Sequence, residues 1–515
     1  MDFVTIDRFG RIPQAPRPFG VLTRDDWDDR GWRTTFHLAV VDEFGRHNDI
    51  GTVKIGAVGM DRATRPSVQL LEKFSALSAD YFSVGQDVNY YERIKELGYQ
   101  IRKTLLRSLR DIAFDEDAFN IASREQVTQV SLMRNLRTAT VEEQFRRVAR
   151  EAGARLVAFR VAYETPSGLG GDAVRLNFHT DPEGLPPSNV HVLTGRNGVG
   201  KSVLLNRLVR AVVDRRGDPV DIGRVVEQGR TKRSFVNVVS VSFSPFDALP
   251  FNPTDRGVSL THVGLRAAPP RGGHYVSTPL KTDNRLKKDF AESVEACLGG
   301  EQKERWIEAL STLSYSGSGL LEGDWLATFQ DITSSQLRRR EVNKMFASLS
   351  SGHKALLLTM TRLVELVDER TLVVIDEPET HIHPPQIAAF VRALSNLLSD
   401  RNGLAIVATH SPVVLQEVRA DCVWKLHRVG DRLVANRPTT ETFGENVGVI
   451  THEIFGLEVR ETGFHRELSR LVDSGLSYPE ILVRFQGRLG GEARIIARSL
   501  IALRESGELP GGGAR

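Results

Sequence analysis

Cysteine is nearly absent. Cys297 and Cys422 are the only two in 515 residues, too few for a disulfide framework or a cysteine-based metal site, and this points to a reducing compartment. Long apolar runs are also missing. No stretch approaches the ~18–20 residues of a membrane span, and the opening MDFVTIDRFGRIP lacks the apolar centre of a signal peptide. The expectation is a cytoplasmic chain with no membrane partner. Neither sign of charge dominates, because 68 Lys+Arg against 65 Asp+Glu leaves +3. Net charge alone therefore gives no ground for nucleic-acid binding, and only local patches can argue for it. There is no HNH run, no TOPRIM-like carboxylate set and no cysteine–histidine cluster, so nuclease chemistry is not expected from this chain. What is present is an ordinary globular composition, 40% apolar and 26% charged. The length of 515 residues suits two or three folding units.

The first twenty residues, with Pro13, Pro16 and Pro18 among polar groups, read as an extended arm. Thr34–Val41 and Ile50–Ile55 alternate apolar and polar residues and predict a hairpin. Apolar positions from Ile94 to Leu109 recur at threes and fours and predict one amphipathic helix over 89–112, with a second over 141–152. Together these define an N-terminal α+β module, residues 1–150, with no evident chemistry. From Arg155 the texture changes to apolar strands alternating with helices of about fourteen residues, which means a mostly parallel sheet covered by helices. The expected units are the N-terminal module, an α/β head over 151–440 with a helical lobe at about 250–350, and a helical segment over 441–515.

Four clusters carry chemistry. Gly195-Arg196-Asn197-Gly198-Val199-Gly200-Lys201-Ser202 fits GxxxxGK[ST] between a predicted strand and a helix that continues with Val203. Glycines let backbone N–H groups wrap phosphates, the helix N-terminus favours anions, Lys201 reaches the β/γ-phosphates and the Ser202 hydroxyl suits Mg²⁺. Leu372-Val373-Val374-Ile375 then leads to Asp376 and Glu377. At the C-terminal end of a buried strand Asp376 is placed to hold Mg²⁺, and Glu377 to take a proton from an attacking water. Ser350-Ser351-Gly352 opens an amphipathic helix, where a serine caps free N–H groups and the capped terminus is itself an anion site. Thr409-His410 ends another apolar strand, LAIVA.

The order P-loop, LSSG turn, DE strand, strand–TH resembles the ABC-type ATPase heads of the RecF, SMC and OLD-like class, over roughly 155–428. The resemblance implies an α/β P-loop NTPase fold, ATP and Mg²⁺ as ligands, and a homodimer in which one protomer's signature closes on the nucleotide of the other. It places water polarisation on Glu377, γ-phosphate sensing on His410 and signature contacts on Ser350 and Gly352. DEPETHIHP departs from the transporter form, and the 146 residues between Ser202 and Leu349 are too few for a coiled-coil arm. The strand FVNVVSVSF leads into Ser244-Pro245-Phe246-Asp247 without the family's glutamine. LSSGHKALLL, VVIDEPETHIHPP and ATHSPVVLQEV most resemble the Septu-type antiphage ATPases, which implies a separately encoded HNH-type nuclease as partner. Two other readings stay open: a RecF-like DNA-repair ATPase that clamps DNA itself, and a nucleotide-sensing scaffold with negligible turnover. Basic clusters over 207–233 and at Arg338, Arg339 and Arg340 read equally as DNA contacts or as solvated helix faces.

Overall fold

The computed structural model describes the chain apart from residues 8–9, 11–15, 26–30, 135, 137, 139, 152–157, 167–172, 182, 215–217, 228–234, 243–257, 268–278, 299–300, 316–317, 322–323, 333, 462 and 507–515. The N-terminal module begins with β1 (Asp2–Ile6), β2 (Phe19–Arg24), β3 (Thr35–Val41), β4 (His47–Ala57), β5 (Lys73–Phe74) and β6 (Tyr81–Gly85). They form one sheet in the order β5-β1-β2-β3-β4-β6. The hairpin expectation corresponds to β3 and β4, which pair antiparallel with a register shift between Leu38 and Ala39. Of the arm expected over the first twenty residues, Asp2–Ile6 is instead a strand of the sheet. β1 pairs in parallel with β2, and Phe3 is fully buried in the module's core. A short apolar strand with an open neighbour on its sheet gains more from burial and ladder bonds than the downstream prolines can oppose.

The helices α1 (Val88–Glu96), α2 (Tyr99–Ser108), α3 (Glu116–Ala122) and α4 (Arg146–Glu151) cover that sheet. The single helix expected over 89–112 is two, because Gly98 takes φ +90°, a left-handed break that glycine tolerates.

In the head, β7 (Phe159–Glu164), β8 (Arg175–Thr180) and β10 (Arg224–Glu227) make a small antiparallel sheet, order β10-β7-β8. The main sheet contains β9 (Val190–Gly195), β11 (Asn237–Ser242), β12 (Ser259–Gly264), β13 (Thr371–Asp376), β14 (Leu404–Ala408), β15 (Val423–Val429) and β16 (Arg432–Asn436). Its order is β12-β11-β13-β14-β9-β15-β16, parallel except for the β15–β16 pair. Alternate residues of the central strands go to opposite faces. Val192, Val241, Ile375 and Val407 join one core, while Leu193, Val238, Val374 and Ile406 join the other. This burial on both faces is why these strands read as continuous apolar runs.

The second face is covered by α5 (Lys201–Val213) and the small sheet, with the short α6 (Pro219–Ile222) beside them. The first face carries α7 (Asp283–Cys297), α8 (Glu301–Leu313), α9 (Trp325–Gln330) and α10 (Ser335–Ser348), which form the helical lobe, and then α11 (Ser351–Leu366) and α12 (Pro384–Ser399). The turn α13 (Pro412–Leu415) and helix α14 (Val447–Glu461) add Val414, Leu415, Ile450 and Ile454 to this core. Helices α15 (Gly463–Asp473), α16 (Tyr478–Arg484) and α17 (Gly491–Glu505) share a separate small core around Leu468, Ile481 and Ala497.

The N-terminal module docks beneath the head. Glu143 pairs with Arg370 at 3.1 Å and Arg147 with Glu369 at 3.6 Å, while Asn402 donates to both Glu369 oxygens. These head residues precede β13 and β14, at the sheet edge opposite the P-loop. Burial pushes the Glu369 carboxyl up to about 7. Among the described residues no helix is long and apolar enough to cross a membrane.

Candidate functional site

The C-terminal ends of β9, β13 and β14 converge, since Asp376 pairs with Ala408 and Ala408 with Leu193 across the parallel ladder. In such sheets this edge is where ligands bind. β9 runs into the P-loop through Gly195, where a Cβ would stand 2.2 Å from the Leu426 carbonyl oxygen of β15. Only glycine permits that approach. Gly200 caps α5 in a left-handed conformation, φ +104°, and makes no side-chain cap. A thirteen-residue helix thus opens with its first N–H groups and its positive dipole end, the physical basis of phosphate binding.

Lys201 is buried, and its Nζ donates to the carbonyls of Gly195 at 3.1 Å and Arg196 at 3.4 Å. Ser202 and Asp376 line one pocket with Ser240, Ser242, His262 and Arg266. A hydroxyl and a carboxylate meeting in one pocket are hard oxygen donors that fit Mg²⁺. Val203 is 54% exposed and turns away from the core. The segment Ser244–Asp247, where the family's glutamine is missing, lies outside the described residues.

Glu377 follows β13 in a left-handed backbone, φ +44° and ψ +62°, a strained state for a side-chain-bearing residue that costs on the order of 1–3 kcal/mol. The conformation is held by its own amide, which donates to Ala408, and by its carbonyl, which accepts from the Thr380 amide and hydroxyl. The Glu377 carboxylate, 38% exposed, lies 3.6 Å from His410 Nδ1. Ser350 caps α11, accepting from the His353 amide at 3.3 Å, and the His353 ring meets Gln386, which also donates to the Ser318 carbonyl. Ser350, Ser351 and Gly352 therefore sit where α11 and α12 meet the lobe, and none of them lines the pocket of Ser202 and Asp376.

Two site residues escaped the sequence reading. Glu379 accepts from the Thr409 hydroxyl at 2.6 Å and the His410 amide at 2.8 Å, and its Oε1 lies 3.2 Å from His410 Nδ1. The available signal was the second acid of DEPETH. Arg428 of β15 donates from Nε to the Val199 carbonyl of the P-loop at 3.2 Å. Only the sheet order, with β15 beside β9, reveals that contact. One cysteine, one aspartate and one histidine do converge, at the start of β15. Cys422 Sγ is 3.6 Å from Asp421 Oδ1, and His179 Nε2 is 3.5 Å from Oδ2. Arg419 already donates to that Oδ2 at 2.6 Å. Burial first, then Arg437 and Arg419, hold the His179 imidazole below its ordinary range. Two cations at the group oppose a divalent ion, so it is an ion cluster pinning the start of β15. In the basic run, Arg338 donates to the Ile332 carbonyl at 3.1 Å.

The family model described as "AAA domain, putative AbiEii toxin, Type IV TA system" matches residues 334–416, the stretch holding the signature turn, the DE strand and the TH motif. Protein ea59 of Escherichia phage lambda is 35% identical over 536 residues, spanning 99% of this chain and 100% of that protein. Among solved structures, the ADP conformation of an ATP-binding cassette of an ABC transporter covers 51% of this chain and 84% of its own at 15% identity, TM-score 0.25. UvrA2 from Deinococcus radiodurans covers 52% and 35% at 16% identity, TM-score 0.28. The sheet order, the P-loop leading into α5 and the DE strand make this an α/β P-loop NTPase fold of the ABC/AAA type.

Proposed function

This chain belongs to the same family as protein ea59 of phage lambda, and we propose that it is a Mg²⁺-dependent cytoplasmic ATPase that dimerises around ATP and governs a separate HNH-type nuclease in antiphage defence. One observation carries the reading. Lys201, Ser202, Asp376, Glu377 and His410 gather at a single sheet edge, while the signature serines, which the resemblance to ABC-type heads assigns to the same chemistry, do not line that pocket. A second copy supplying Ser350–Gly352 completes the site.

The P-loop amides and the α5 N-terminus bind the phosphates, and Lys201 exchanges its carbonyl partners for β/γ-oxygens. Ser202 and Asp376 would hold Mg²⁺, which when bound neutralises charge on the phosphates. Glu377, half exposed at the strand end, accepts the proton of the attacking water. His410 faces the same space and senses the γ-phosphate. The antiphage role and the nuclease partner are supported by DEPETHIHPP and the segments that flank it, and by the lack of nuclease motifs in this chain.

Mixing tests the shared site. Lys201→Ala and Ser350→Arg chains, each inactive alone, recover part of the ATPase activity when mixed, because each heterodimer holds one intact site. No recovery where heterodimers form refutes the composite site. Purification with the neighbouring gene product, followed by DNA cleavage assays with and without ATP, tests the rest. Cleavage by this chain alone, or by a partner indifferent to it and to ATP, refutes nuclease control.

A further inference from the structure

We propose that Glu379 is the positioning residue that fixes the ring proton of His410 and thereby leaves Glu377 free to act as base. The proposal deepens, and rests on, the ATPase reading above. One oxygen of Glu379, Oε1, takes the Thr409 hydroxyl at 2.6 Å, the His410 amide at 2.8 Å and the approach of His410 Nδ1 at 3.2 Å. The turn after the DE strand is thus fastened to the turn after β14, so that base and sensor move as one unit. The other oxygen, Oε2, is buried with no hydrogen-bond partner among the described residues. A carboxylate kept only for stability is normally satisfied on both oxygens, and leaving one buried and unpaired is costly.

The functional role lies at the paired oxygen, Oε1. His410 Nδ1 stands between two carboxylates, Glu379 at 3.2 Å and Glu377 at 3.6 Å. A ring nitrogen presenting its lone pair to two carboxylates is repelled by both, so the proton of the neutral imidazole belongs on Nδ1 and Nε2 is left to meet a ligand. The same logic orients histidines that bind metals through a carboxylate partner. With Glu379 as the nearer acceptor, the ring does not occupy Glu377. Without its charge, the ring proton turns to Glu377 and ties up the carboxylate that must accept a proton from water.

Glu379→Gln separates this role from a structural one. The amide oxygen still accepts from Thr409 and His410, so fold and turn are kept, but the charge that holds the ring proton is gone. In E379Q the melting temperature and the MgATP Kd stay close to the parent values, within about threefold for Kd, while kcat falls at least tenfold. In an H410A background the same change costs less than twofold, since residues acting as a unit are not additive. Full kcat in E379Q, or an equal loss with and without His410, overturns the proposal. A second reading needs no turnover. In ¹⁵N-imidazole spectra of the full chain, with His410 identified by its loss in H410A, the parent carries the proton on Nδ1, and E379Q keeps it there with a changed Nδ1 shift as the acceptor becomes Glu377. A parent ring protonated on Nε2 alone, or an Nδ1 signal that E379Q leaves unchanged, overturns the proposal even if the parent hydrolyses no ATP, an outcome that by itself would defeat only the ATPase reading.

Discussion

Replacing Lys201 with alanine separates the fold from the ligand. The buried ammonium of Lys201 donates to the Gly195 and Arg196 carbonyls. Hydrogen bonds of a charged group contribute about 1.5–3 kcal/mol each. The desolvation cost of burying an ammonium, several kcal/mol after relaxation, opposes them. The two nearly cancel, and the variant should unfold within about 2 kcal/mol of the parent. Toward ATP nothing cancels, because the phosphates bring their own negative charge. At an effective dielectric of about 20 and a separation of about 4 Å, the lost attraction is about 4 kcal/mol, roughly a thousandfold in Kd. Thermal unfolding with and without MgATP reads this directly. At about 100 times the parent Kd the nucleotide stabilises the parent by about 2.7 kcal/mol, and at the same concentration it stabilises the variant by less than about 0.1 kcal/mol. A variant with the parent's nucleotide-dependent shift, or with its turnover, refutes the phosphate role of Lys201. One that loses far more than about 2 kcal/mol without ATP shows that the lysine holds the P-loop itself.

Two further outcomes follow from the geometry. Glu377→Gln keeps the shape of the strained turn but removes the proton acceptor, so the variant should bind ATP and accumulate nucleotide-bound dimers; size-exclusion chromatography with MgATP checks this, and hydrolysis at the parent rate rules out Glu377 as the base. Burial raises the Asp111 and Glu369 carboxyls to about 7 each. An acid whose folded pKa exceeds its unfolded one holds its proton more tightly in the native state, so stability is lost as pH rises to about 7, from about 4 for Asp111 and from about 4.5 for Glu369, by up to about 4 and about 3 kcal/mol respectively. Melting temperatures across that window should fall for the parent and fall less for Asp111→Asn and Glu369→Gln; parallel curves for all three would contradict the assignment.

The local chemistry of this chain was legible in its sequence because it depends on neighbours a few residues away. A P-loop needs its glycines, lysine and serine at set spacing. The DE strand is apolar because both its faces are buried, and Ser350 caps α11 as its place before an amphipathic run predicts. The tertiary structure decided what depends on strands meeting across tens to hundreds of residues. The opening residues become a strand because β2 offers them an edge. Arg428 reaches the P-loop because β15 lies beside β9. Glu379, three positions past Asp376, finds Thr409 and His410 thirty residues on only because β13 and β14 are adjacent and in register. Hydrophobic period and turn residues report which elements form, since each acts within one helix or strand. The pairing order of a parallel sheet is set by the burial of both its faces at once, a property of the assembled chain that no single segment carries.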